Sequence, residues 1–107
     1  MTITRLQYLN QLLEASPQDS FLLFALAKEY ESMGDDTQSL SFYLRLKATD
    51  PTYIGTYYHL GKLYEQKEDF QNAILSYKQG IEISRQAGDR HALSELQEAL
   101  LNLEDPE

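Results

Sequence analysis

The stretch that decides the fold is Pro51–Gly80, PTYIGTYYHLGKLYEQKEDFQNAILSYKQG, which aligns without a gap to the stretch beginning at Pro17. The offset from Pro17 to Pro51 is 34 residues. The other matched pairs are Leu26 with Leu60, Tyr30 with Tyr64, Leu40 with Ile74 and Tyr43 with Tyr77. Self-similarity at this period is typical of stacked helical hairpins. We therefore predict an all-α fold, with about six antiparallel helices in a short right-handed stack, an α-solenoid.

Apolar spacing and helix breakers divide the whole chain into these helices. The predicted spans are 4–15, 21–33, 37–48, 53–66, 70–84 and 90–103. We expect Thr2 or Thr4 to cap the first helix and Asp19 or Ser20 to cap the second, since these side chains accept hydrogen bonds from orphaned amides. In the turn 34–36 a glycine can take the left-handed conformation, whereas in the equivalent turn 67–69 Lys67 or Glu68 must accept some strain.

Helical periodicity also predicts which side chains point inward. In the first helix they are Leu6, Leu9 and Leu13, with Leu12 widening the stripe; in the third they are Leu40, Tyr43, Leu44 and Leu46; in the fifth they are Phe70, Ala73, Ile74, Tyr77 and Ile81. The second helix is apolar on more than one face, which indicates that it lies between neighbours.

The repeat ends after Arg85, because no proline follows Pro51 at the same interval. A final helix after Gly88 has its main apolar residues on one side, which is the pattern of a helix that caps a stack. We expect 104–107 to form a frayed tail.

The composition excludes several classes of function. The net charge is −8, and residues 89–107 hold six acids against one base. An acidic surface repels phosphate and anionic lipid, so nucleic acid and membranes are poor partners. Without cysteine the chain has no disulfide or thiol chemistry, and without a signal-like start or a long apolar run we expect it to be cytoplasmic.

The repeated residues resemble the tetratricopeptide repeat. Tyr57, Leu60-Gly61, Tyr64, Ala73 and Tyr77 match its pattern closely, and Leu23, Leu26-Ala27, Tyr30, Ser39, Tyr43 and Pro51 match it with substitutions. The resemblance implies a single domain over 1–107, built from a half-repeat helix at 4–16, repeats at 20–51 and 54–87, and a capping helix at 89–103. Arg85 replaces the closing proline, and Gly80 is smaller than the usual alanine.

The same resemblance implies a function in protein–protein interaction, since the first helix of each pair lines a concave groove for peptides or helices in this family. The groove residues would be Phe21, Phe24, Ala25 and Lys28 from the first repeat and Gly55, Tyr58, His59 and Lys62 from the second. Two lysines beside aromatic rings suggest an acidic or C-terminal segment as the ligand. The family's carboxylate clamp for chaperone tails is not matched.

The sequence offers no sign of catalysis. His59 and His91 are the two histidines, and neither has a second metal ligand at helical spacing. The acidic pairs Asp35-Asp36 and Glu68-Asp69 lie at helix starts, where capping explains them. We therefore predict a protein that is not an enzyme and has no cofactor.

Two alternatives remain open at this level. In the first, the N-terminal helix exposes Leu6, Leu9 and Leu13 to a second copy, and the protein forms a homodimer or scaffold. In the second, the chain is one domain of a larger protein, although Met1 favours a complete chain.

Overall fold

The computed structural model describes residues 3–104, and within that range it contains six α-helices and no β-strand. The helices are α1 Arg5–Ala15, α2 Ser20–Ser32, α3 Asp36–Thr49, α4 Gly55–Gln66, α5 Phe70–Ala87 and α6 Arg90–Glu104. The prediction of an all-α repeat fold is confirmed. The expected cap at Thr2 and most of the expected tail, 105–107, lie outside the described residues. The chain forms two compact units, with the boundary between Tyr53 and Ile54. The single domain over 1–107 therefore stays a prediction.

Capping side chains begin five of the six helices. Thr4 accepts from the Gln7 amide, and the Gln7 side chain accepts from the Thr4 amide, which together form a capping box. Asp19, Asp35, Asp69 and Asp89 cap α2, α3, α5 and α6, and each side chain accepts from the amide three residues ahead. The expected caps at Thr4 and Asp19 are therefore confirmed, and the acidic residues at the turns act as caps.

The tight turns use the left-handed conformation. Gly34 has φ 79° and Gly88 has φ 72°, and in the turn without glycine Glu68 takes φ 60°. The expected strain thus falls on Glu68 rather than on Lys67. The two turns are nevertheless closed alike, because the Asp35 amide donates to the Tyr30 carbonyl and the Asp69 amide donates to the Tyr64 carbonyl.

In the first unit, α2 packs against both α1 and α3. The buried cluster consists of Leu9, Leu13, Leu22, Leu23, Ala25, Leu26 and Leu46. The expected burial of Leu12 and Leu44 is wrong, since both are exposed. Each is adjacent in sequence to a buried residue, since Leu12 precedes Leu13 and Leu44 follows Tyr43, and one helical position turns a side chain by about 100°.

In the second unit, α5 packs against both α4 and α6. The buried cluster consists of Tyr57, Ala73, Tyr77, Ile81, Leu96 and Ala99. The expected burial of Phe70 is wrong, because this side chain is 49% exposed. Phe70 is the first residue of α5, so it lies at the end of the stripe, one turn before the buried Ala73.

The closest helix approach in each hairpin depends on a small residue. A Cβ atom at Gly61 would lie 2.1 Å from Cε1 of Tyr77, so the ring occupies the space of the missing side chain. At the equivalent place in the first unit, the buried Ser39 hydroxyl donates to the Ala27 carbonyl at 2.9 Å. This hydrogen bond joins α3 to α2 at a position where both side chains are small.

A second repeated contact ties each hairpin together. The Tyr43 hydroxyl donates to Glu31 at 2.8 Å, and the Tyr77 hydroxyl donates to Glu65. Burial, followed by these hydrogen bonds, raises the pKa of both tyrosines above the usual 10.0. Both hydroxyls therefore remain protonated donors, as the contact requires.

Helix α5 departs from the repeat at two places, Gly80 and its C-terminal end. Gly80 has no room for a side chain, because a Cβ atom would lie 2.6 Å from Tyr57 Cβ and 3.0 Å from Leu96 Cδ1. Helix α5 also continues to Ala87, three residues beyond the predicted end at Ser84, and closes on the left-handed Gly88. Residues 85–87 of this extension are exposed, whereas Leu96 of α6 lies against α5 at Gly80.

Candidate functional site

In the first unit, the residues predicted to bind a partner lie together on α2. Phe21, Phe24, Ala25 and Lys28 line a surface depression of about 380 Å³, with Arg5, Glu29 and Ser32 at its other positions. We call this depression the α2 surface. Phe21 is 69% exposed, although a ring of this size normally buries much of its area. The depression therefore offers an aromatic side chain to solvent.

The neighbouring ring is held by the core. Phe24 lies edge-on to Tyr43, with ring centroids 6.0 Å apart, and its centroid is 5.2 Å from that of Tyr53. Lys28 places its Nζ 5.9 Å from the Phe24 centroid, a distance at which a cation is attracted to the ring face. Phe24 thus has a structural role, whereas Phe21 extends into solvent.

In the second unit, Tyr58 and Lys62 lie at a different depression, of about 110 Å³. Its other lining residues all come from α6: Glu95, Glu98, Ala99 and Asn102. We call this depression the α4–α6 surface. Lys62 Nζ lies 5.4 Å from the Tyr58 centroid and 3.7 Å from Glu65 Oε2. Lys62 therefore already has a carboxylate beside it.

The α6 residues of this surface were not predicted. Glu95, Glu98 and Asn102 follow one another at i, i+3 and i+7, which places them on one face of a helix. That spacing was visible in the sequence, but nothing local connects it to Tyr58. The connection depends on how α6 packs in the unit.

The other residues of α4 that were predicted to bind a partner, His59 and Gly55, do not line the α4–α6 surface. His59 is half-buried, and its ring stands perpendicular to that of Tyr58 with centroids 5.9 Å apart. The carboxylates of Glu65, Glu95 and Glu98 around Lys62 weaken the hypothesis that this lysine holds an acidic segment.

Other polar features have structural explanations. Arg45 lines a depression of about 590 Å³ beside Pro17, where its Nη2 donates to the Pro17 carbonyl at 2.7 Å and holds the α1–α2 connection. His91 contacts Glu95 at 3.4 Å on the exposed face of α6. Within residues 3–104, no three potential metal-ligating side chains form a group. No helix in that range has the length and apolarity needed to cross a membrane.

Comparison with known proteins gives consistent results. Residues 54–86 match the family model described as tetratricopeptide repeat. The crystal structure of a tetratricopeptide repeat domain protein from Salinibacter ruber is 46% identical, with a TM-score of 0.79, and the match covers 83% of this chain and 99% of that one. A solution structure of such a protein from the same organism is also 46% identical with a TM-score of 0.79, covering 85% and 92%.

A solution structure from Bordetella parapertussis shares the fold at 24% identity, with a TM-score of 0.81 and coverage of 95% of this chain and 89% of that one. Among curated proteins, none matches the chain. The likeness thus rests on a repeat model and on solved structures, two of which have substantial sequence identity.

Proposed function

This chain belongs to the tetratricopeptide repeat family, and on that premise we propose that it binds a peptide or helix of a partner protein through residues of α2 and of α4. Repeats of this family are in general protein-interaction modules. The contact residues in the proposal are Phe21, Phe24, Lys28, Tyr58, His59 and Lys62. The role is non-catalytic and requires no cofactor. A cytoplasmic location stays a prediction.

The observation that carries the proposal is the exposure of Phe21 at the α2 surface. Its side chain is 69% exposed beside Ala25 and the partly buried Phe24. Aromatic side chains that enter a partner's pocket contribute much of the binding free energy in protein interfaces. Lys28 and the ion pair of Arg5 with Glu29, at 3.0 Å, supply polar groups at the same depression. The surface therefore combines an apolar anchor with polar surroundings.

Self-association through the first helix is not supported by the packing of α1. Leu9 and Leu13 are 5% and 7% exposed, because they belong to the cluster shared with α2. Leu6 packs against that cluster as well. Leu9 and Leu13 are therefore unavailable to a second copy while the first unit is folded, and Leu6 is partly covered.

The proposal is tested by selecting binders of the purified chain from a library of random peptides. We expect Phe21→Ala to lower the affinity for the selected peptides by about tenfold or more, because truncating an aromatic anchor costs at least about 1–2 kcal/mol. Phe21 is the better position to test, since Phe24→Ala also disturbs the contacts with Tyr43 and Tyr53.

Phe70→Ala is the matched control. Phe70 is also an exposed ring at the start of a helix, at 49% exposure, but it lies on α5, outside both depressions. Selected peptides should bind this variant as they bind the unchanged chain. The proposal is wrong if the library yields no binders, or if the two variants lose affinity equally.

A further inference from the structure

We infer that the α4–α6 surface takes a basic segment of the partner, with an arginine or lysine side chain entering between α4 and α6. This inference rests on the proposed function and adds the charge of the ligand at one of its surfaces. It also gives α6 a binding role in addition to capping the second unit.

The lining of the surface has the chemistry that a cation requires. Tyr58 presents a ring that already attracts the Lys62 ammonium at 5.4 Å. Glu95 and Glu98 bring two exposed carboxylates from α6, and Asn102 brings an amide. An arginine guanidinium can contact a carboxylate through two hydrogen bonds and stack on an aromatic ring at the same time. The depression, at about 110 Å³, has the size of a side chain rather than of a folded segment.

The charges around the surface favour the same ligand. Lys62 is offset by Glu65 at 3.7 Å, so Glu95 and Glu98 leave an excess of negative charge. His91 lies 3.4 Å from Glu95 on the exposed face of α6. A further ion pair of α6, between Lys78 and Glu104 at 3.5 Å, is neutral as a pair. A positive segment is therefore attracted to this surface and an acidic one is repelled.

The α2 surface provides a contrast within the same chain. Its charged lining residues are Arg5, Lys28 and Glu29, so it has no negative excess. Lys28 and Lys62 are equivalent in the repeat. Lys62 shares its depression with two carboxylates of α6, whereas Lys28 shares its depression with Arg5 and Glu29. The preference for a basic segment thus belongs to the second unit.

The test uses the full chain and two fluorescent peptides, one of alternating arginine and glycine and one of alternating glutamate and glycine, both read by fluorescence anisotropy. We expect tighter binding of the arginine peptide, with an affinity that falls as salt is added. Glu98→Lys should lower the affinity for the arginine peptide about threefold to tenfold, because the substitution replaces an attractive exposed pair by a repulsive one. Amide shifts of the labelled protein on adding the arginine peptide should be concentrated at Tyr58, Lys62 and α6.

Glu82→Lys is the control for net charge. Glu82 is an exposed acid on α5 and does not line the α4–α6 surface, so this variant changes the total charge by the same amount. Equal weakening by Glu98→Lys and Glu82→Lys would overturn the inference, since binding would then follow net charge alone. Equal affinity for the two peptides would also overturn it. Library peptides that depend on Phe21 but contain no basic residues would overturn the inference and leave the proposed function standing.

Discussion

At the scale of single residues, the repeat is held by a few side chains with little freedom to change. Gly61 is one of them, because a Cβ atom there would lie within 2.1–2.6 Å of three Tyr77 ring atoms. Tyr77 is fully buried and donates to Glu65, so its ring cannot move without losing that hydrogen bond. The position of the Tyr77 ring therefore requires a residue without a side chain at position 61.

Gly61→Ala should lower the stability of the fold. Overpacking of this kind costs up to about 3 kcal/mol, and the gain in helix propensity returns about 1 kcal/mol, so we expect a net loss of about 2 kcal/mol. Thermal unfolding followed by circular dichroism should show a midpoint lower by about 10 °C.

The double variant Gly61→Ala with Tyr77→Leu is the control for this clash. Removing the ring takes away its conflict with the added methyl group, so the two single losses should exceed the loss in the double variant. Strict additivity would contradict the explanation.

Asp50 provides a pH-dependent contact between the end of α3 and the start of α2. It accepts hydrogen bonds from Ser20 at 2.7 Å and from Thr52 at 2.9 Å, and these lower its pKa below the usual 3.8. Since the pKa is lower in the folded state, the contribution is present above about pH 4 and is lost as the pH falls through the folded-state value.

Asp50→Asn should therefore be less stable than the unchanged chain near neutral pH, and the difference should shrink in acid. Urea unfolding at a series of pH values from about 7 down to about 2 measures this difference. Glu14→Gln, at an exposed position of α1, controls for the loss of one charge. A difference between Asp50→Asn and the unchanged chain that stays constant with pH would contradict the role of the Asp50 carboxylate.

At the scale of elements, α5 differs most from the regular repeat. The helix passes through Arg85, where the repeat pattern has a proline, and ends at Gly88. The Arg85 side chain makes an exposed ion pair with Glu82 at 3.4 Å, which contributes little. What matters at this position is the helical backbone, since α5 continues through it to Ala87.

Arg85→Pro should destabilise the protein even though it restores the repeat pattern. Proline in a helix interior removes a hydrogen bond and clashes with the preceding turn, at a cost of about 3 kcal/mol. Arg85→Ala keeps the helix and should change stability by less than about 0.5 kcal/mol. Urea unfolding of the two variants distinguishes these effects, and equal stability would show that α5 does not need to continue past this residue.

At the scale of the whole molecule, net charge is the property with a measurable consequence. The chain carries −8, and residues 89–107 contribute six acids against one base. Like charges repel in the compact state, whereas the exposed ion pairs that salt also screens contribute little. Repulsion should therefore be the larger of the two electrostatic effects.

Adding sodium chloride should raise the thermal unfolding midpoint, because screening reduces the repulsion. The effect should be smaller in Glu98→Gln, which removes one acid from the most acidic helix. Circular dichroism at low and at physiological ionic strength measures both. A midpoint that falls with salt would show that ion pairs outweigh the repulsion.

Much of the fold could be predicted from the sequence because the signals are local. Thr4 and Asp19 cap helices through hydrogen bonds to amides three residues away, and Gly34 closes a turn through its own backbone conformation. The residues that define each repeat also lie close together in the sequence, within one hairpin. Less of the candidate site could be predicted: Phe21 and Lys28 were named from a resemblance, whereas Glu95, Glu98 and Asn102 were not.

The sequence by itself determined the repeat and its six helices, and it placed the starts of the capped helices to within a residue, since caps, breakers and periodicity act over a few neighbouring residues. The start of α4, which has no side-chain cap, was predicted at 53 and lies at Gly55. The tertiary structure alone decided which apolar side chains are buried and which are offered to solvent. Leu12 and Phe70 lie at the edge or the end of a predicted apolar stripe, and both are exposed. It also decided that α6 lies beside Tyr58 and Lys62. The physical reason is that burial and surface charge depend on what a distant part of the chain covers.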